Sequence, residues 1–254
     1  MKPTLFALGP IQVHAYGTMV ALGVFLALPL MIRCAKINNF PKVNDVYDLV
    51  FISLAAGFLG ARIFYVCQHA AWYREQPLKF FALWEGGLIF YGGVVGAVLA
   101  LWVFAKSKEI SIFRVLDFLF PYVALVHAFG RIGCFLNGCC YGIICRLPWA
   151  VSFPQAPDPV HPTQLYEMAF DFILFWILSN RYAHRNFTGE VTALYFLFYG
   201  IGRFVIEFWR SENPMLYFFT WQQWISLAFI FAACMGLKLA KSYSLKTESG
   251  GHGT

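Results

Sequence analysis

Three arginines sit where an apolar chain should not carry charge. Arg62, Arg131 and Arg203 each fall inside a long hydrophobic run. Two of them belong to helically spaced sets: Arg203, Glu207 and Arg210 stand four and three residues apart, as do His127, Arg131 and Cys134. On a helix each trio makes one stripe. A charge at bilayer depth costs on the order of several kcal/mol, so such residues usually mark a ligand site or a pathway. Guanidinium matches phosphate oxygens in a bidentate way. The chemistry on offer is therefore a cationic cradle for a phosphate, with Glu207 orienting an arginine. A plainer alternative is an Arg–Glu pair that docks helices. Three intramembrane arginines against one glutamate is more positive charge than docking needs, which favours the cradle.

The second arginine lies in GRIGCFLNGCCYG, residues 130 to 142, which also holds three of the seven cysteines. Cys134, Cys139, Cys140 and Cys145 read C-x4-C-C-x4-C. Three readings stay open: a disulfide tying a loop to a span, unpaired buried thiols, or a metal or redox role. Zinc sites more often use C-x2-C spacing, which neither half of this run has, so no metal is expected. An odd total leaves at least one cysteine without an intrachain partner. Cys34 and Cys234 read as ordinary core residues.

The elements that must position these groups follow from composition. The chain has 254 residues, 59% hydrophobic and only 13% charged. A soluble domain carries roughly a quarter charged residues. Long apolar runs near 16–34, 46–67, 88–105, 115–135, 166–179, 191–209 and 219–237 can each be read as crossing about 30 Å of hydrocarbon, the fifth by extending into its flanks. The expected fold is an all-α polytopic membrane protein of about seven helices. It forms one domain over 1–240, with an outer cap from loops 68–87 and 138–165 and a flexible cytoplasmic tail, 241–254. The first run reads as a span and not as a cleaved signal peptide, since no small-residue cleavage site follows it.

Orientation follows from the basic residues. Arg33, Lys36, Lys42, Lys106, Lys108, Arg114, Arg181, Arg185, Lys238, Lys241 and Lys246 fall on one side, against Lys2, Arg74, Lys79, Arg146 and Arg210 on the other. The richer side is cytoplasmic, which puts the N-terminus outside and the C-terminus inside. The net charge of +6 then reads as a topology signal and not as nucleic-acid binding. At about 1.5 Å per residue, Arg131 and Arg203 lie roughly 24 and 18 Å from the cytoplasmic ends of their spans, in the outer half. Arg62, Tyr16, WEGGLIFYGG (84–93) and HPTQLYE (161–167) gather at the same face. Trp72, Tyr73, Trp84 and Trp149 fit an outer aromatic belt. A56-x-x-x-G60 and G92-x-x-x-G96 are patterns that let helices approach closely.

Taken together, IQVHAYG (11–17), LGAR (59–62), WEGGLIFYGG, GRIGCFLNG (130–138), HPTQLYE and YGIGRFVIEFWR (199–210) resemble the prolipoprotein diacylglyceryl transferase family, in the family's order and over almost the whole chain. The resemblance implies a cofactor-free transferase at the outer face of the bacterial inner membrane. A diacylglyceryl group would pass from phosphatidylglycerol to the lipobox cysteine thiol of a preprolipoprotein, releasing glycerol phosphate. By motif position, Arg131 and Arg203 match the family's phosphate-associated arginines, and Glu207 the acidic residue one turn after the second. Tyr16 matches a functional tyrosine, Gly142 the glycine closing the signature, and Asn137 its second asparagine. Arg62, Gln164, Tyr166 and Glu167 match supporting positions. Arg210 joins the lipid-binding set through its stripe. The protein is expected to act as a monomer in the membrane.

The chain departs from the family pattern in three places. Tyr91 stands where many members have the histidine proposed as base. Cys134 replaces the signature's first asparagine and Cys139 its acidic residue. The GCCYG ending is associated with a divergent branch. Four routes for the thiol proton remain open: Tyr91 assisted by an arginine, His127, His161, or spontaneous ionisation beside the cations. The alternatives in function are a paralogue using the same lipid donor with another acceptor, a thiol redox membrane protein, and a transporter or scramblase of anionic lipid.

Overall fold

The computed structural model describes residues 4–8, 11–38, 42–82, 86–210 and 214–250, without the side chains of 5–8, 11–12 and 241–250. Strands β1 (Thr4–Leu8) and β2 (Ile11–His14) precede helices α1 (Ala15–Asn38), α2 (Val43–Gln68), α3 (Ala70–Glu75) and α4 (Phe90–Ser107). Then come α5 (Ile112–Asn137), α6 (Thr163–Ala183), α7 (Glu190–Ile206), a hairpin of β3 (Met215–Leu216) and β4 (Phe219–Thr220), and α8 (Trp221–Gly250). Six helices are long and apolar enough to cross a membrane: α1, α2, α4, α5, α7 with the turn after it, and α8 to Ala240. The chain is an all-α polytopic membrane protein. Over the expected fifth span, 166–179, the helix is the 21-residue α6, ~31 Å long at 1.5 Å per residue. Glu167 and Asp171 make α6 the polar member of the set. The tail expected from 241 falls partly on α8, and residues 251–254 lie outside the described residues, as do Trp84 and Glu85.

The chain divides into two compact units, one chiefly Pro29–Val115 and the other Val13–Leu28 with Leu116 onward. In the first, α2 crosses α4 backbone on backbone. A Cβ on Gly60 would press on the Gly92 carbonyl and lie 3.0 Å from Gly96 Cα, and one on Gly96 would press on the Ala56 carbonyl. The two small-residue patterns therefore face each other, which any larger side chain would prevent. An ion pair from Lys108 to Asp45 ties the residue after α4 to the first turn of α2.

In the second unit α5 is the inner helix, with half of its apolar window buried against 17% for α8. Its Asp117, fully buried, accepts from Gly189 N at 2.6 Å, Thr192 N at 2.8 Å and Thr192 Oγ1 at 2.7 Å. The N-cap of α7 is Gly189, which has no side chain to offer, so Asp117 satisfies the helix's first N–H groups from a neighbouring helix. Arg181 and Glu190 pair at 2.5 Å across the turn between α6 and α7. At the other end, α8 opens with a capping box. Thr220 N donates to Gln223 Oε1 at 3.0 Å, and Gln223 N donates back to Thr220 Oγ1 at 3.2 Å.

Candidate active site

The second unit gathers Arg131 from α5, Glu167 from α6, and Arg203, Glu207 and Arg210 from α7 and the turn that ends it. Glu167, 3% exposed, is the hub. Its Oε2 meets Arg131 at 2.5 Å, and its Oε1 meets Arg210 at 3.0 Å and Arg203 at 3.6 Å. Glu207 takes the second shift of the same charges, with Arg203 at 2.7 Å and Arg210 at 3.9 Å. Its other oxygen accepts from Thr220 Oγ1 at 2.8 Å, so the hydroxyl that caps α8 also fixes the carboxylate. The i,i+4 stripe expected for Arg203 and Glu207 is thus an ion pair, and Arg210 reaches the same carboxylate by leaving the helix through a 3-10 turn over Glu207–Trp209.

Three guanidiniums share two carboxylates, so one positive charge in this buried cluster is uncompensated from within. The side chains of Arg131, Arg203 and Arg210 are 15%, 10% and 12% exposed. Arg131 Nε is buried without a hydrogen-bond partner among the described residues. Leaving a buried cation unmatched is costly, and an incoming anion with several acceptor oxygens removes that cost. Chemically, such an arrangement can receive an anion.

Close approach of backbone shapes the rest of the site. Tyr16, second residue of α1, crosses α5 at Gly133, where a Cβ would lie 2.8 Å from Tyr16 Cα. Gly142 is the tightest position. Its N–H donates to His161 O at 2.8 Å, and Ile143 N donates to Trp209 O at 2.9 Å. A Cβ at Gly142 would press on the Trp209 carbonyl and stand 2.8 Å from His161 Cβ and 2.9 Å from Thr163 Cγ2. Gly142 bridges to Arg210, so it pins the loop after α5 to the very residue that carries the third guanidinium. Gly142→Ala is expected to cost ~1–3 kcal/mol of stability and to lower any activity that needs Arg210, measured as thermal unfolding in detergent beside an activity assay. An unchanged melting temperature would contradict this.

His127 Nδ1 meets Asp171 Oδ2 at 3.0 Å, and Asp171 is 1% exposed. A carboxylate on one ring nitrogen fixes the ring's orientation and leaves the other nitrogen to act. His161 is differently engaged: its Nδ1 lies 3.0 Å from Tyr166 Oη, which accepts from Trp149 Nε1 at 2.8 Å. Asn137 ends α5. Tyr91, in the first turn of α4, is 62% exposed and rests edge-on against Phe90; it belongs to the first unit. So does Arg62, whose guanidinium donates to the carbonyls of Phe80, Lys79, Ala82, Gly86 and Gly87 at 2.5 to 3.3 Å. Arg62 organises the backbone that follows α2.

Cys67, Cys134, Cys139, Cys140, Cys145 and Cys234 are free thiols. The Cys140 thiol is lowered by hydrogen bonds from Cys134 and Cys139, and then by the charges of Arg210 and Arg131. Asp171 and the hub role of Glu167 are what sequence reasoning missed. Their signal was present: two acidic residues four apart in an apolar run, the same spacing that singles out Arg203 and Glu207.

The sequence was compared with known proteins. The family model described as prolipoprotein diacylglyceryl transferase matches residues 3–239. A phosphatidylglycerol–prolipoprotein diacylglyceryl transferase of Bordetella parapertussis is 35% identical over 242 residues, 91% of this chain and 92% of the relative. Proteins of the same name from Clostridium tetani and Aeromonas hydrophila are 35% and 36% identical, covering 84% and 85% of this chain and 86% and 80% of their own.

Proposed function

The chain belongs to the prolipoprotein diacylglyceryl transferase family, and from that premise we propose that it moves the diacylglyceryl group of phosphatidylglycerol onto the lipobox cysteine of a preprolipoprotein, at the outer face of the bacterial inner membrane. One observation carries the reading: a buried cluster of three arginines and two carboxylates with one positive charge left over. The thiolate sulfur attacks the glycerol carbon that bears the phosphate ester. The carbon–oxygen bond breaks, a carbon–sulfur bond forms, and glycerol phosphate departs with the electron pair. Charge grows on the phosphate as that bond breaks, so fixed cations there stabilise the transition state more than the ground state. Arg131, Arg203 and Arg210 hold the phosphate, while Glu167 and Glu207 keep the guanidiniums aimed. Tyr16 and Gly142 shape the wall against which the lipid lies.

His127 takes the thiol proton, with Asp171 as the positioning residue that orients it. General-base contributions are typically 10²–10⁴-fold, so His127→Gln is expected to lower kcat by about that factor while leaving KM for phosphatidylglycerol unchanged. Asp171→Asn lowers kcat in the same sense, since the ring loses its anchor. An unaltered kcat in His127→Gln would move the role to Tyr91, His161 or unaided ionisation. The function itself is tested with the purified protein in phosphatidylglycerol vesicles and two peptides, one with a lipobox cysteine and one with serine in its place. Only the cysteine peptide should gain the mass of a diacylglyceryl group. Lipidation of neither, by folded protein, would overturn the assignment of this acceptor.

A further inference from the structure

We propose that Cys134, Cys139 and Cys140 form a three-thiolate site for one soft metal ion, with cuprous copper as the species that fits. The three sulfur atoms all lie within 4.8 Å of one another and none is bonded to another. Metal–sulfur bonds of ~2.3 Å in a trigonal plane put sulfurs ~4.0 Å apart. The triangle is thus within ~1 Å of the spacing a metal requires, a closure that rotation about three Cα–Cβ bonds supplies.

Backbone geometry brings the sulfurs together before any metal arrives. Helix α5 ends at Asn137, and the chain then turns through left-handed Gly138 (φ +71°) and Cys140 (φ +65°). A non-glycine residue there costs on the order of 1–3 kcal/mol and persists only when its surroundings hold it. They do: Thr163 Oγ1 donates to Cys140 O at 2.8 Å, and Gln164 Nε2 donates to Cys139 O at 2.6 Å. Thr163 and Gln164 are 0% and 1% exposed. Cys139 N also donates to Cys134 O at 3.2 Å. Two fully buried side chains of α6 therefore clamp the turn so that Cys139 and Cys140 fold back over Cys134 in the last turn of α5.

Chemistry selects the ion. Thiolates favour soft cations such as cuprous copper and zinc. A structural zinc site takes four protein ligands, and no fourth histidine, cysteine or carboxylate joins the group among the described residues. Cuprous copper is satisfied by three. Three thiolates with one cuprous ion carry two negative charges, and the positive field of the nearby Arg131 and Arg210, both of which act electrostatically on Cys140, offsets part of it. Cys139 and Cys140 are only half-buried, which leaves the ion a way in.

The test is a titration of the full-length, reduced protein in detergent with cuprous ion buffered by bicinchoninate, followed by X-ray absorption at the copper edge. One ion per chain with three sulfur neighbours is expected. Cys134→Ser and Cys139→Ser/Cys140→Ser should each weaken binding by more than the ~10–100-fold that loss of a mere supporting partner brings. Cys67→Ser, at an exposed cysteine in the other unit, should leave it unchanged. Copper with fewer than three sulfurs in the wild type would overturn the proposal, and that readout does not depend on any variant folding. Binding that survives Cys139→Ser/Cys140→Ser would overturn it too, as would tighter binding of zinc than of cuprous ion.

Discussion

Arg203→Ala is expected to reduce diacylglyceryl transfer about 10³-fold, the upper range for removing one preorganised group from a site of developing negative charge. Its NH1 lies 2.7 Å from Glu207 and 3.6 Å from Glu167, so the substitution removes the surplus positive charge and leaves two carboxylates shared by two arginines. The cluster becomes neutral, and an arriving phosphate no longer gains by entering it. Arg203→Lys should fail almost as completely. An ammonium keeps the charge but cannot present the planar fork that serves two carboxylates and a phosphate together. Transfer assayed beside detergent melting curves separates this from misfolding. Activity in Arg203→Ala within tenfold of wild type would contradict the role given to this residue.

Glu167→Gln should show its effect on stability, with a lipid dependence that a purely structural pair would lack. Removing one partner of a buried ion pair costs about 3–5 kcal/mol, because the remaining charge is stranded. Here three buried guanidiniums would be left with Glu207 alone. Phosphatidylglycerol offers an anion that can take the place of the lost carboxylate, and binding to the folded state stabilises by mass action. The melting temperature of Glu167→Gln is therefore expected to fall sharply in zwitterionic lipid and to recover in part when phosphatidylglycerol is added. Equal losses in both lipids would show that the cluster does not receive the headgroup.

Periodicity and hydropathy carry much of this arrangement. Spacings of three and four residues locate Arg203, Glu207 and Arg210, and the paired small-residue patterns meet where α2 crosses α4. Each of these depends on local helical geometry, which sequence reports directly. Where partners come from distant elements, sequence is silent. Arg62 is an intramembrane arginine like the others, yet its donors are consumed by the backbone carbonyls of Lys79, Phe80, Ala82, Gly86 and Gly87, an arrangement no spacing rule contains. Glu167 and Asp171 interrupt the apolarity of α6, so hydropathy shortens that helix at the place where the site is densest. Their burial is tolerated because Arg131 and His127 on α5 meet them. The count of one glutamate to three arginines changes for the same reason: Arg210 and Glu167 enter the cluster, and Arg62 belongs elsewhere. The cysteine run is undecided from spacing alone, since pairing depends on a turn held by Thr163 and Gln164.

The central claim is that the surplus charge of the arginine cluster serves a coupled substitution, with the phosphate leaving as the thioether forms. Purified wild type and Arg203→Ala, in vesicles of phosphatidylglycerol labelled in both the diacylglyceryl and headgroup glycerol, test it in one measurement against a lipobox peptide. Thioether peptide and glycerol phosphate should appear in equal amounts with wild type, and neither with Arg203→Ala. Glycerol phosphate released without thioether would mean hydrolysis and not transfer. Equal formation of both products by wild type and Arg203→Ala would contradict the claim outright.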